Sequence, residues 1–201
     1  MQLDVLKVYL PAYLLLYVLL TFVISSVRIY RKTGINPITF GAADNAHDYI
    51  GGIMKVLTAM LTYAVLAFSF SDALYSRLVP IGYLYHPALQ VAGLGLIHAS
   101  LVWIVVAQQQ MGLSWRIGID EANRTPLVSN GIFGLSRNPI FLGMVLSLLG
   151  LFLIIPNIIT FFTCLCSYFV IQIQVRLEEE FLLKQHGEAY TAYQGKVRRW
   201  L

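Results

Sequence analysis

Charge is what this chain lacks most. Charged residues make up 12% of its 201 residues, about half the ~25% usual in a soluble domain. With 58% hydrophobic residues and a mean hydropathy of +0.70, this scarcity argues against a water-soluble globule and for a bilayer as solvent. Cysteine is nearly absent. Cys164 and Cys166 both lie inside an apolar run. Two positions apart on a helix they face different ways, which argues against a disulfide or a metal pair. There is no strand pattern, no glycine-rich loop after a strand and no paired Cys/His spacing. No metal site is therefore expected, and no strand-borne nucleotide site. No repeat or low-complexity tract is visible. No signal-peptide pattern stands out either. The first apolar run follows Lys7 and continues to Val27 without a small-residue cleavage site, so it is expected to be a retained span.

What is present is a series of long apolar runs. A span needs about 20 mostly apolar residues. Five candidates meet or approach this: residues 8–27, 49–70, 88–107, 139–155 and 157–175. The expected fold class is all-α, a polytopic helical membrane protein. The last two runs meet at Pro156-Asn157 with almost no linker, which predicts a tight helical hairpin. The fourth run, at about 25 Å of helix, is marginal for a bilayer.

The net charge of +4 is modest, and its positive residues lie between the apolar runs. That placement points to topology and lipid headgroups, not nucleic acid. Arg28, Arg31 and Lys32 follow the first run. Arg116, Arg124 and Arg137 follow the third, and Arg176, Lys184, Lys196, Arg198 and Arg199 follow the fifth. The positive-inside rule then predicts the N-terminus outside and the C-terminus cytoplasmic. Three polar segments, 28–48, 108–138 and 176–201, fall on the cytoplasmic side. The third has an apolar helical face in Leu177, Phe181, Leu182 and Tyr190. It is expected to extend the fifth span as an amphipathic tail lying on the membrane, with Gly187 bending or ending its first part.

Two constellations carry candidate chemistry. Residues 125–141 open directly into a membrane helix through Arg137-Asn138-Pro139. Structurally, Asn138 is a good N-cap and Pro139 suits a first turn. Functionally, a helix N-terminus attracts an anionic group. Residues 176–187 bring three consecutive glutamates, Glu178, Glu179 and Glu180, to the same membrane face. A solvated helix face with an Arg176–Glu180 pair, stabilising by about 0.3–0.5 kcal/mol, is one reading. A pocket shared with Arg137 and Asn138 is the other.

The order of these motifs resembles the isoprenylcysteine carboxyl methyltransferase and phospholipid methyltransferase superfamily. The matching positions are Leu127, Val128, Gly131 and Phe133; Arg137, Asn138, Pro139 and Phe141; Glu178 and Glu179; and Gly187, Tyr190 and Tyr193. They cover roughly the last half of the chain. The resemblance implies a membrane methyltransferase using S-adenosylmethionine on the cytoplasmic side. It also implies a cofactor site drawn from Gln110, Leu127, Val128, Phe133, Arg137, Asn138, Pro139, Phe141, Glu178 and Glu179. Aromatic rings suit an adenine or a sulfonium, and a carboxylate suits an amine or ribose hydroxyls. The chain is then one membrane domain over 1–201. Its first three spans occupy 1–107, and a cofactor-binding region with hairpin and tail occupies 108–201.

The departures bear on the acceptor. The family's histidine is Asn138, and two tyrosine positions are Phe133 and Phe141. Where prenylcysteine enzymes carry a carboxylate-reading arginine, this chain has Gln174, with Arg176 two residues later on a different face. The acceptor, lipid-soluble or small, could thus be an amine, a thiol or another lipid carboxylate. His47 and Asp48, with Gln174 and Arg176, are the candidates for the acceptor side, and no catalytic base is assigned. Trp115 and Arg116 suit the membrane interface. His98, in the third span, is either functional or a neutral histidine bonded to a neighbouring helix. Two rival readings remain: a non-catalytic lipid- or partner-binding membrane protein, and an NADPH-dependent reductase.

Overall fold

The structure, a computed structural model, describes residues 3–39, 45–118, 123 and 125–201. Arg124, and the parts 40–44 and 119–121 of two loops considered above, lie outside the described residues.

Apolar sequence becomes helix here because a helix satisfies every backbone polar group within itself, which lipid demands. The first rod runs α1 (Leu3–Val18), a π-helical turn (Leu19–Val23) and α2 (Ile24–Thr33). Then come α3 (Ala46–Phe70), the short α4 (Asp72–Ser76) and α5 (Pro87–Met111). The hairpin α6 (Pro139–Ile154) and α7 (Ile158–His186) follows, and α8 (Glu188–Lys196) ends the series. Among the described residues there is no strand beyond two isolated bridges. Four helices are long and apolar enough to cross a membrane: Asp4–Thr33, Ala46–Phe70, Pro87–Ser114 and Ile158–His186. The fifth expected span is the shorter apolar helix Pro139–Ile154. Its 16 residues rise about 24 Å, against a hydrocarbon core of roughly 30 Å. The chain is a helical membrane protein, and its outer surface fits that solvent: Val8 is 77% exposed, Leu15 73% and Phe70 75%.

Small residues set the closest helix contact. On α5, Gly93, Ile97, Ser100 and Ile104 face Gly150, Ser147 and Gly143 of antiparallel α6. A Cβ on Gly93 would stand 2.5 Å from the Gly150 carbonyl oxygen, and one on Gly143 would stand 2.5 Å from Ile104. Between them Ser100 and Ser147 share a hydrogen bond of 2.7 Å. With no hydrophobic drive between helices in lipid, such close backbone approach supplies the packing energy.

The π-helical turn has a polar reason. It lies where Gln108 of α5 donates to the Thr21 carbonyl oxygen (2.8 Å) and accepts from Ser25 (2.9 Å). His98 takes the neutral, bonded reading. Its Nδ1–H donates to the Leu94 carbonyl oxygen (2.7 Å), so Nε2 accepts from the Tyr9 hydroxyl (2.5 Å).

The apolar core, with Leu6, Leu10, Val65, Phe68, Ile97 and Ile154, occupies one end of the bundle. There Asn157 caps α7 reciprocally with Thr160, and Ile81 N–H donates to Pro156 O at 2.9 Å. The opposite end collects the polar segments. Residues 37–39 pair with Ile117: Thr39 N–H donates to Ile117 O at 3.0 Å and Ile117 N–H to Pro37 O at 2.8 Å. The tail does not turn at the end of the apolar stretch. The fifth span continues as one helix to His186, where Gly187 at φ 54° ends it.

Candidate functional site

At the polar end, five segments meet: the end of α5, residues 123–133, the start of α6, the last turns of α7, and α8 with the tail. They close around a cavity of about 120 Å³. Five expected cofactor residues line it: Leu127, Val128, Phe133, Arg137 and Glu178. Phe181, Leu182, Gln185 and Tyr193 add the facing wall, and Arg116, Asn123 and Thr125 add polar groups. Sequence reading had assigned Phe181 and Leu182 only to an apolar face. Their spacing, at i+3 and i+4 from Glu178, is the signal that ties them to its side of the helix.

Gln110, Asn138, Pro139, Phe141 and Glu179 stand outside this lining. Gln110 accepts from Ile132 N–H (2.8 Å), bracing the loop that carries Leu127 to Phe133. A Cβ at Gly131, whose φ is +62°, would collide with that glutamine. The Pro139 carbonyl oxygen accepts from Trp103 Nε1–H (2.9 Å). Phe141 is partly buried two residues into α6.

The adjacent glutamates divide sharply. Glu179, 5% exposed, anchors a clasp. Arg137 donates to its Oε1 from Nε (3.3 Å) and Nη2 (3.1 Å), and Asn138 Nδ2 donates at 3.0 Å. Arg199 Nη2 donates to Oε2 at 2.8 Å. Arg137 also donates to the carbonyl oxygens of Gln194 and Val197, at 3.1 and 2.9 Å, and Arg137 N–H donates to Arg198 O at 3.0 Å. The tail is thereby folded back onto the start of α6. Asn138 is the N-cap residue of α6 but makes no side-chain cap bond, because Glu179 and the Arg199 carbonyl oxygen take its amide. Hydrogen bonding to Glu179 raises the Arg199 pKa above its ordinary value. Burial pushes the Tyr193 phenol up to about 12, and its hydroxyl donates to the Phe133 carbonyl oxygen (2.6 Å).

Glu178 faces the cavity instead. Gln174 Nε2 donates to it (3.0 Å), while Gln174 Oε1 meets His47 Nδ1 (3.2 Å). A carbonyl oxygen only accepts, so His47 carries its proton on Nδ1 in this contact. His47, Gln174 and Glu178 thus form one chain of hydrogen bonds from α3 to the cavity. Gly118, at φ +99°, lets the backbone pass His47, since a Cβ there would lie 2.8 Å from its Nε2. Arg176 is elsewhere. It is exposed and donates to the Gln172 carbonyl oxygen (2.6 Å) and side chain (2.9 Å). The expected Arg176–Glu180 pair is replaced by Lys184–Glu180 at 3.0 Å. Trp115 is not at the membrane interface but 3% exposed. Among the described residues no group of three His, Cys, Asp or Glu could hold a metal.

Residues 88–189, half of the chain, match the family model described as phospholipid methyltransferase. A helical membrane protein with this match is a membrane methyltransferase. More narrowly, the chain belongs to the phospholipid methyltransferase family. No curated protein is similar enough to the chain to count as a match.

Proposed function

We propose that the chain transfers a methyl group from S-adenosylmethionine, held at the cytoplasmic end of the bundle, to a lipid-soluble or small acceptor. The observation that carries this is the closure of residues 123–133, Arg137 and the Glu178 turn around one cavity. When bound, the cofactor supplies an electrophilic methyl on a sulfonium. The chain's own groups suit such a ligand. Glu178 offers a carboxylate to an amine or ribose hydroxyls. Phe133, Phe181 and Tyr193 offer ring surface to adenine or sulfonium. The enclosed part is smaller than the ~300 Å³ of an ordinary small-molecule site, so the rest of the ligand extends beyond it. Residues 108–201 are the cofactor-binding region in this reading. Gln110, Asn138, Pro139, Phe141 and Glu179 act as its support, and Arg137 serves both the lining and the clasp.

On the acceptor side, His47 and Gln174 stand one hydrogen bond behind Glu178. Asp48 neighbours them, while Arg176 lies on another face. The positive-inside charge pattern supports an outside N-terminus and a cytoplasmic C-terminus. Methyl transfer is an in-line displacement, so orientation is the chain's main contribution to rate.

Titration calorimetry on detergent-purified protein tests the cofactor, with binding expected in the wild type. No heat, with binding intact in an active relative, overturns the reading. Incubation with methyl-labelled cofactor and total membrane extract then identifies the product. Cofactor binding without any labelled product favours a non-catalytic binding protein. Displacement of S-adenosylmethionine by NADPH favours a reductase.

A further inference from the structure

A second cavity, also about 120 Å³, lies inside the bundle among α1, α3, α5, α6 and α7. Its volume is close to the ~150 Å³ at which an apolar protein cavity holds a small ligand. Its walls are mostly aliphatic, but Tyr17, Ser147, Thr163 and Ser167 line it as well. Thr163 is 1% exposed, and its hydroxyl has no hydrogen-bond partner among the described residues. This is not how the other hydroxyls around the cavity behave. Thr58 and Thr62 donate to the carbonyl oxygens of Met54 (2.8 Å) and Thr58 (2.9 Å). Ser147 bonds Ser100 at 2.7 Å. Thr163 therefore presents a buried, uncompensated polar group to an apolar hole, where a ligand oxygen would satisfy it.

The position of the hole matters as much. Ile171 lines its end nearest the polar site. Gln174, the next inward residue on that face of α7, bonds both His47 and Glu178. Gln174 thus stands between a polar cavity and an apolar one. From Ile171 to Thr163 is eight residues, about 12 Å along the helix.

Building on the methyl-transfer reading above, we propose that this inner cavity holds the apolar body of the acceptor. We propose further that the acceptor is an oxygenated lipid whose mid-chain hydroxyl or carbonyl seats on Thr163. Its reactive end then points past Gln174 toward the Glu178 cavity.

Equilibrium binding to the detergent-purified full chain tests this with two radiolabelled probes, stearic acid and stearic acid bearing a mid-chain hydroxyl. The hydroxylated probe is expected to bind wild type about five-fold tighter, the worth of one hydrogen bond. Thr163→Val, which keeps the shape and removes the hydroxyl, should erase that preference and leave stearic acid binding unchanged. Ser167→Phe, filling the cavity from α7, should abolish binding of both, and Thr62→Phe, filling it from α3, should repeat the block. Equal binding of the two probes to wild type, or an unchanged preference in Thr163→Val, overturns the polar seat. Undiminished binding in both filled variants overturns the cavity as a lipid site. Calorimetry with S-adenosylmethionine on the same preparations separates the two readings. If the cofactor fails to bind while the lipid preference behaves as expected, the methyl-transfer reading falls and the lipid site stands.

Discussion

Glu178 and Glu179 are neighbours in sequence and opposites in surroundings. Glu179 is surrounded by donors: two guanidinium groups and an amide close on its two oxygens. Glu178 has one hydrogen bond, from Gln174, and otherwise faces a cavity. A carboxylate whose hydrogen-bonding capacity is filled by protein holds structure together. One with capacity left over can bind a ligand, because a cation or a hydroxyl there gains more than it would in water. The difference between these two regions separates residues that build the site from residues that use it.

The sharpest way to break the comparison is Glu179→Ala. It leaves Arg137, whose side chain is 11% exposed, without its counter-charge, and breaking such a pair costs about 3–5 kcal/mol. Thermal unfolding in detergent should show a large fall in Tm or no folded protein. A mild effect would mean that the clasp is dispensable. Glu178→Ala should do the reverse. Stability should barely change, while S-adenosylmethionine affinity by calorimetry should fall by about 2 kcal/mol, roughly thirty-fold. Glu180→Ala, whose partner Lys184 is also exposed, should leave affinity unchanged. Equal small effects at 178 and 180 would remove Glu178 from the site. Asn138→Ala should cost about 1.5 kcal/mol in the same thermal assay, the worth of a bond to a charged group. Asn138→His, which keeps an N–H donor, should lose less. Smallest of all, Arg176→Ala should fall within about 0.5 kcal/mol of wild type. A larger loss of activity there would return Arg176 to the acceptor side.

The departures from the family pattern look different once the clasp is known. Asn138 in place of histidine removes a group that titrates near neutral pH. Yet its amide donates to Glu179 and to Arg199 O, a task needing only N–H donors. The motif was legible in the sequence, whereas the role of this member was not, because Arg199 lies 61 positions away. The His47–Gln174 contact spans 127 positions and was equally out of reach. Each residue had been suspected separately. Trp115 went the other way. Its type suggested the interface, and the fold of the segment after α5 buried it.

By itself the sequence determined the solvent, the helices and the side of the membrane that gathers the polar segments. These follow from composition, run length and charge placement, which act locally along the chain. It also marked the hairpin at Pro156-Asn157 and the motif order of the family. Only the tertiary structure decided which glutamate of an adjacent pair opens to a cavity and which is locked away. On a helix neighbouring side chains diverge by about 100°, so the rotation of α7 against α3 and α6 makes that choice. The same rotation turns Thr163 into a dry hole. No property of a threonine in an apolar run announces it, since the missing partner is a fact about five helices at once.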